Sequence, residues 1–164
     1  MKLTEFQRNI FTHLFEVGRS SRDPEGVVSA CLVDASGKIV VSSASADDAI
    51  RHAEDLVIEK AARDKIEITP EMVLYTTLEP CSRRLEENNV EDCTTIIKNS
   101  GVKKIIIGAR DPEWSMDTKD RLEKADREYC LIEDDEIEEK CIELFNSTLH
   151  TDLDKMKLPR KTAL

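Results

Sequence analysis

Apolar side chains at Leu3, Phe6, Ile10, Leu14 and Val17 recur every three or four positions. That spacing puts them on one side of a helix, so the chain is predicted to open with an amphipathic helix. Residues 20–26, rich in Ser, Asp, Pro and Gly, read as a loop. Residues 27–34 and 38–42 are apolar, β-branched runs joined by Ala35-Ser36-Gly37, the signal of a hairpin. Helical spacing returns at Ile50, Ala53, Leu56, Val57 and Ala61, with Asp47 and Asp48 as cap candidates, which places His52 and Glu54 in the first turns of that helix. Residues 72–78 read as a buried strand, and Pro80 begins a new segment whose helical part is clearest over 92–99 and ends at Gly101. A second strand at 104–108, a helix near 118–125, a short strand at 129–132 and an acidic amphipathic helix over 134–146 follow. Strands alternating with helices after an opening hairpin predict an α/β fold: a three-layer α/β/α arrangement around a mixed sheet of about five strands.

Length and charge narrow the picture. A chain of 164 residues suits one domain, here 1–150, followed at 151–164 by a tail with no apolar period that carries Lys155, Lys157, Arg160 and Lys161. No apolar run approaches the ~18 residues of a membrane span. The first residues mix charge and apolarity too finely for a secretory leader, so the protein is expected to be soluble and cytoplasmic. Five cysteines, an odd number without small-scaffold spacing, point to reduced thiols, with Cys31, Cys130 and Cys141 as small residues of apolar stretches. A net charge of −10, from 34 acids against 24 bases, argues against long DNA or RNA as partners. One nucleotide stays possible, because one or two local arginines can hold one phosphate.

Chemistry concentrates in His52-Ala53-Glu54, in Thr77-Leu78-Glu79-Pro80-Cys81, and at Cys93. One imidazole and two thiolates can hold Zn2+ and leave a fourth tetrahedral position open, which is the ligand count of catalytic rather than structural zinc. Zinc there lowers the pKa of water to about 7, and Glu54, free of the metal, can shuttle protons. On one helix, about 200° of rotation would separate His52 from Glu54, so the carboxylate is expected to serve from the side. Cys81 and Cys93 are expected at or near helix starts, where amide groups and the helix dipole favour thiolate. His13 and His150 are expected to lie far off on flanking helices.

These segments, with Tyr75-Thr76 before the Thr77 motif, Ile105-Ile106-Ile107-Gly108 and Asp111-Pro112, resemble the cytidine deaminase superfamily, and most of all the deaminase domain of riboflavin-biosynthesis enzymes. Zinc deaminases carry H-x-E followed by P-C-x-x-C; this chain keeps that order and departs from the second spacing. The resemblance implies a zinc hydrolase that releases ammonia from a small amino-substituted heterocycle, in the range of a pyrimidine base, nucleoside or nucleotide. It implies His52, Cys81 and Cys93 as ligands, Glu54 as proton shuttle and a homo-oligomer. The alternative is a zinc-binding module of the same fold that has lost catalysis and binds a ligand or partner. Eleven residues separate Cys81 from Cys93, against two in the common pattern, so that loop must bulge from the metal or fold over the substrate. Riboflavin-type deaminases carry Pro-Asn-Pro where this chain has Pro24-Glu25-Gly26, and different residues where it has Arg83, Arg84 and Trp114. Glu25, Arg83, Arg84 and Trp114 are therefore the candidate substrate contacts, and the riboflavin intermediate is not the favoured substrate.

Overall fold

The structure, a computed structural model, describes residues 1–150 and Lys155. Helix α1 (Glu5–Gly18) starts at Thr4, whose side chain accepts from the Gln7 amide while the Gln7 side chain accepts from the Thr4 amide. This reciprocal pair satisfies two amides that the first turn leaves open. Strands β1 (Ser29–Val33) and β2 (Ile39–Ala44) form the expected hairpin. Its turn is set by Asp34 Oδ1, which accepts from the Ser36 and Lys38 amides, and by Gly37 at φ 86°, a conformation that suits glycine.

The remaining elements are α2 (Ala53–Arg63), β3 (Val73–Leu78), α3 (Cys93–Asn99), β4 (Lys104–Ala109), α4 (Thr118–Lys124), β5 (Glu128–Leu131) and α5 (Asp135–Asn146). The strand order is β2-β1-β3-β4-β5. β1 runs antiparallel to both β2 and β3, and β3, β4 and β5 are parallel to one another. The fold is thus α/β with a mixed five-stranded sheet.

Period-two alternation sorts the strand side chains between two helix layers. Cys31, Tyr75 and Ile106 face Phe11 and Leu14 of α1 and Ile137 and Cys141 of α5. Ala30, Leu32, Leu74, Ile105 and Ile107 face Val57 and Ala61 of α2, Ile97 of α3 and Leu122 of α4. Both faces of β4 are covered, so Ile105 to Ile107 read as an unbroken apolar run rather than an alternating one. Cys31 and Cys141 are buried, Cys130 is half-buried, and all five cysteines are free thiols. Burial pushes the Cys31 thiol up to about 12.

Among the described residues, no helix is long and apolar enough to cross a membrane. The tail expected at 151–164 lies outside the described residues apart from Lys155.

Candidate active site

The apolar period predicts His52 inside α2; the structure places it one residue before the helix, with φ −82° and ψ 160°. Asp48 caps a tight turn instead, its Oδ1 accepting from the Ile50 and Arg51 amides, while the Ala46 amide donates to the Arg51 carbonyl. Ile50 is therefore outside the helix. The rotation argument fails with it, since His52 is extended backbone and not a helical position. The imidazole and the Glu54 carboxylate converge: His52 Nδ1 lies 3.5 Å from Cys93 Sγ, and Cys93 Sγ donates to Glu54 Oε2 at 3.7 Å.

Cys93 is the first residue of α3, as expected, and Asp92 caps that helix by accepting from the Thr95 amide. Cys81 follows β3 in irregular backbone and not at a helix start, because the chain from Pro80 does not turn helical until a short 3-10 turn at Glu86–Asn88. It gains an amide all the same, for the Cys93 N–H donates to Cys81 Sγ at 3.4 Å. Hydroxyl groups hold the backbone on which it sits. Ser115 and Thr118 donate to the Pro80 carbonyl at 2.8 and 2.7 Å, and Thr94 donates to the Cys81 carbonyl at 2.9 Å.

The donor atoms of His52, Cys81 and Cys93 all lie within 4.8 Å of one another. His52 Nδ1 is 3.5 Å from each sulfur. A tetrahedral zinc with Zn–N near 2.0 Å and Zn–S near 2.3 Å requires N···S edges of about 3.5 Å, so the residues present fit that ion.

Without a metal, the three groups share protons unequally. Cys81 is drawn down to about 4, first by its hydrogen bond with Cys93 and then by His52, against the cost of burial. Cys93 is correspondingly raised, by that same bond and by burial. Burial opposes charge on His52, yet contact with Cys81 outweighs it and raises the imidazole. Burial also raises Glu54, which is 3% exposed, with the charge of His52 opposing. The carboxyl therefore holds a proton more readily than an ordinary glutamate does. The Thr76 hydroxyl fixes it, 3.1 Å from Glu54 Oε1 and 2.9 Å from the Leu78 carbonyl.

A cleft of about 780 Å³ opens beside these groups. Glu25, Arg83, Arg84 and Trp114 all line it. The loop 82–92 contributes Leu85 and Asn88 to its wall, so the long excursion between the two sulfurs borders the cleft. Arg84 turns inward and donates to the Ile50 carbonyl and, at 3.4 Å, to Cys93 Sγ. Arg83 donates to the Glu113 carbonyl at 3.0 Å and lies over the Trp114 ring, 5.0 Å from its centroid. His13 is on α1 as expected, 3.2 Å from the Ser42 hydroxyl. His150 is not on a helix: it follows the end of α5 and lines the same cleft. The chain turns back there, where the Thr148 hydroxyl donates to the Asp23 carbonyl and Phe145 closes against Gly26.

Sequence patterns alone give no role to Thr76, Glu79, Asp23 or Asp111. The signal for Thr76 is a polar residue in an apolar strand, on the face that meets α2. Glu79 accepts from the Tyr129 hydroxyl at 2.6 Å and from the Asp111 amide at 3.1 Å, which ties the loop after β4 to the zinc motif. No local pattern announces contacts across fifty residues.

Residues 4–109 match the cytidine and deoxycytidylate deaminase zinc-binding region, a span that contains His52, Glu54, Cys81 and Cys93. No curated protein sequence matches the chain. Among solved structures, the fold is similar to the diaminohydroxyphosphoribosylaminopyrimidine deaminase/5-amino-6-(5-phosphoribosylamino)uracil reductase of Thermotoga maritima (TM-score 0.71, 24% identity, 85% of this chain and 39% of that one). It is also similar to RibD of Acinetobacter baumannii (TM-score 0.62, 18% identity, 84% of this chain and 36% of that one). A third structure, from work on A-to-I editing by tRNA:A34 deaminases at the wobble position of transfer RNA, is covered over 100% of its length by 84% of this chain (TM-score 0.62, 23% identity). The chain spans well under half of the first two proteins, and at these identities the likeness is one of fold. With the family match over residues 4–109 and the His52, Cys81 and Cys93 donors gathered beside Glu54, the chain belongs to the family defined by the cytidine and deoxycytidylate deaminase zinc-binding region.

Proposed function

We propose that the protein is a zinc-dependent hydrolytic deaminase that releases ammonia from a small amino-substituted heterocycle of the pyrimidine base, nucleoside or nucleotide class. The observation that carries this reading is the convergence of three donor atoms within 4.8 Å, with Glu54 Oε2 3.7 Å from one of them and a cleft alongside. His52, Cys81 and Cys93 would hold the metal. Zinc supplies Lewis acidity, which makes water a competent nucleophile at neutral pH.

Glu54 moves the protons. Its carboxylate takes one from the attacking water as the water oxygen bonds to the amine-bearing ring carbon. The same carboxyl delivers that proton to the ring nitrogen, then takes the second from the newly bonded hydroxyl and passes it to the amine as the carbon–nitrogen bond breaks, so that water and a cyclic amidine become a carbonyl and ammonia. Thr76 keeps Glu54 Oε1 in place, and the Cys93 side of the group stays within reach of the reacting atoms. Proton transfer of this kind is worth roughly 10² to 10⁴-fold.

A cytoplasmic location and a homo-oligomeric assembly go with this reading, as does the absence of long nucleic acid among its substrates, which the net charge of −10 supports. The test is ammonia release by zinc-loaded protein across amino-pyrimidines, pterins and purines as bases, nucleosides and nucleotides, with Glu54→Ala beside the wild type. Release that disappears in the variant while zinc stays bound supports the proposal. Full zinc occupancy with no release from any compound would replace it with the alternative, a zinc-binding module without catalysis.

A further inference from the structure

Eleven residues, 82–92, separate the two sulfurs, where the common pattern of zinc deaminases has two. A flexible connection of that length lowers the effective concentration of one sulfur about the other. With a dependence near the −3/2 power of length, going from two residues to eleven costs roughly a factor of ten. The three donors nevertheless lie within 4.8 Å of one another. The two ends of the excursion must therefore be held by contacts outside it.

Arg121 of α4 makes those contacts. Its Nη1 donates to the carbonyl of Ser82, the first residue after Cys81, at 2.8 Å. Its Nη2 lies 3.3 Å from Oδ1 of Asp92, the last residue before Cys93, and donates to Thr95 Oγ1 at 2.6 Å. One rigid guanidinium fork thus bridges the first and last residues of the excursion. The side chains of Arg121 and Asp92 are only 26% and 19% exposed, so water and salt screen the pair less than they would at the open surface. The helix that presents the fork is itself fixed. Leu122 is fully buried in the same cluster as Ile97 of α3, and Thr118 donates to the carbonyl of Pro80, the residue before Cys81. Helix α4 therefore grips the chain on both sides of Cys81 and once beside Cys93, while Arg121 itself bonds to the backbone and the cap that carry the sulfurs.

Resting on His52, Cys81 and Cys93 as the metal ligands, we infer that Arg121 is a positioning residue of the zinc site. It clamps the ends of the excursion so that Cys81 and Cys93 keep the register that a two-residue connection supplies elsewhere. The stretch 83–91, which lends Arg83, Arg84, Leu85 and Asn88 to the cleft wall, is then spared the task of setting the distance between the sulfurs.

The test compares the full wild-type chain with Arg121→Ala, Arg121→Lys and Arg8→Ala. The last is a control for general stability, since Arg8 pairs with Asp134 and Glu136 in the helix layer on the other face of the sheet from α3 and α4. Zinc affinity is read by competition with a chromophoric chelator, and the site by the visible spectrum of cobalt-substituted protein. Arg121→Ala is expected to bind zinc about tenfold more weakly, with a shifted cobalt band. Arg121→Lys keeps the charge and reaches one end but not both, so it should recover only part of the affinity. Arg8→Ala should stay within about twofold of wild type. Metal-free protein gives a reading that needs no zinc: capture by phenylarsine oxide, which bridges two neighbouring thiols, should slow at least about threefold in Arg121→Ala, with Cys81→Ser marking the background from the other cysteines. Wild-type zinc affinity or wild-type capture in Arg121→Ala overturns the inference, as does a loss in Arg8→Ala equal to that in Arg121→Ala. Wild-type affinity in Arg121→Lys overturns it too, whether or not the alanine variant folds. The metal site and the clamp fail separately: a wild-type chain that binds no zinc, with capture still dependent on Arg121, sinks the metal site and leaves the clamp, whereas tight zinc binding indifferent to Arg121 does the opposite.

Discussion

Arg84 donates to Cys93 Sγ at 3.4 Å and, through its other terminal nitrogen, to the carbonyl of Ile50 two residues before His52. One side chain from the loop between the two sulfurs thus ties that loop to a sulfur and to the turn that presents the imidazole. A cation beside two cysteines also offsets the negative charge that ligating thiolates accumulate. Replacing it should loosen the site without removing any ligand. Arg84→Ala is expected to weaken zinc binding by roughly 10 to 100-fold, the usual range for a residue that orients a ligand. Cobalt-substituted protein should show a shifted thiolate charge-transfer band, and Arg84→Lys should recover part of both effects. Zinc affinity and spectrum identical to wild type in Arg84→Ala would mean that the contact does not support the site.

Zinc binding should release protons. Without metal, Cys93 is raised by its bond to Cys81 and by burial, so it holds a proton that the metal must displace, and His52, raised by Cys81 against the effect of burial, keeps its own to higher pH than a free imidazole does. Cys81, at about 4, is already thiolate and releases none. Affinity should therefore climb with pH, the logarithm of the association constant rising by between about one and two per pH unit from pH 6 to 8. Competition with a chromophoric chelator at several pH values measures this slope. A flat profile would show that the ligands are deprotonated before the metal arrives.

The fold is largely legible in the sequence because its elements are long-range only in how they pack. Each helix and strand is announced by a local apolar period, and the near-continuous apolar runs of β1 and β4 imply a sheet covered on both sides. Legibility ends where the backbone departs from the regular element that a cue suggests. Asp47 and Asp48 have the composition of a helix cap, yet Ala49 adopts φ 62°, which forces a turn and delays α2 until Ala53. Pro80 marks the start of a segment and so suggests a helix at Cys81, but the eleven residues between the two sulfurs carry no helical period, and α3 waits for Cys93. His150 joins the cleft only because the chain reverses after α5 and Thr148 meets Asp23, a contact across 125 residues that no window of sequence contains.

Glu79 carries a charge at a cost that depends on pH. Burial raises its carboxyl above the ordinary value, although Tyr129 and the Asp111 amide favour the ionised form. The folded protein therefore keeps this proton to higher pH than the unfolded chain does. The stability it contributes is fully present below the unfolded value and declines as pH rises through the folded one. Glu79→Gln keeps the shape and cannot ionise, while it exchanges one of the two acceptor oxygens for an amide nitrogen. That exchange shifts stability by an amount that does not change with pH, whereas the lost ionisation does change with it. The stability of Glu79→Gln relative to wild type should therefore rise between about pH 4 and pH 7, as read by chemical denaturation of zinc-loaded protein at each pH. A difference that is constant across that window would contradict the raised carboxyl.

Gly108 of β4 lies directly against the layer formed by α1 and α5. A Cβ built there would lie 2.4 Å from Cys141 Sγ, 2.9 Å from a Phe11 ring carbon and 2.9 Å from the Thr77 carbonyl oxygen. The Thr77 carbonyl belongs to β3 and cannot withdraw without moving the strand that leads to Cys81, so the strain falls on the two side chains. Gly108→Ala is expected to destabilise by about 2 to 3 kcal/mol, the upper part of the range for overpacking a filled core. Shortening Cys141 to alanine removes the nearest obstruction and costs its own buried sulfur contacts. The double variant Gly108→Ala with Cys141→Ala should therefore lose clearly less than the sum of the two single losses. Additive losses in denaturant titrations would show that the clash with Cys141 is not what excludes a side chain from position 108.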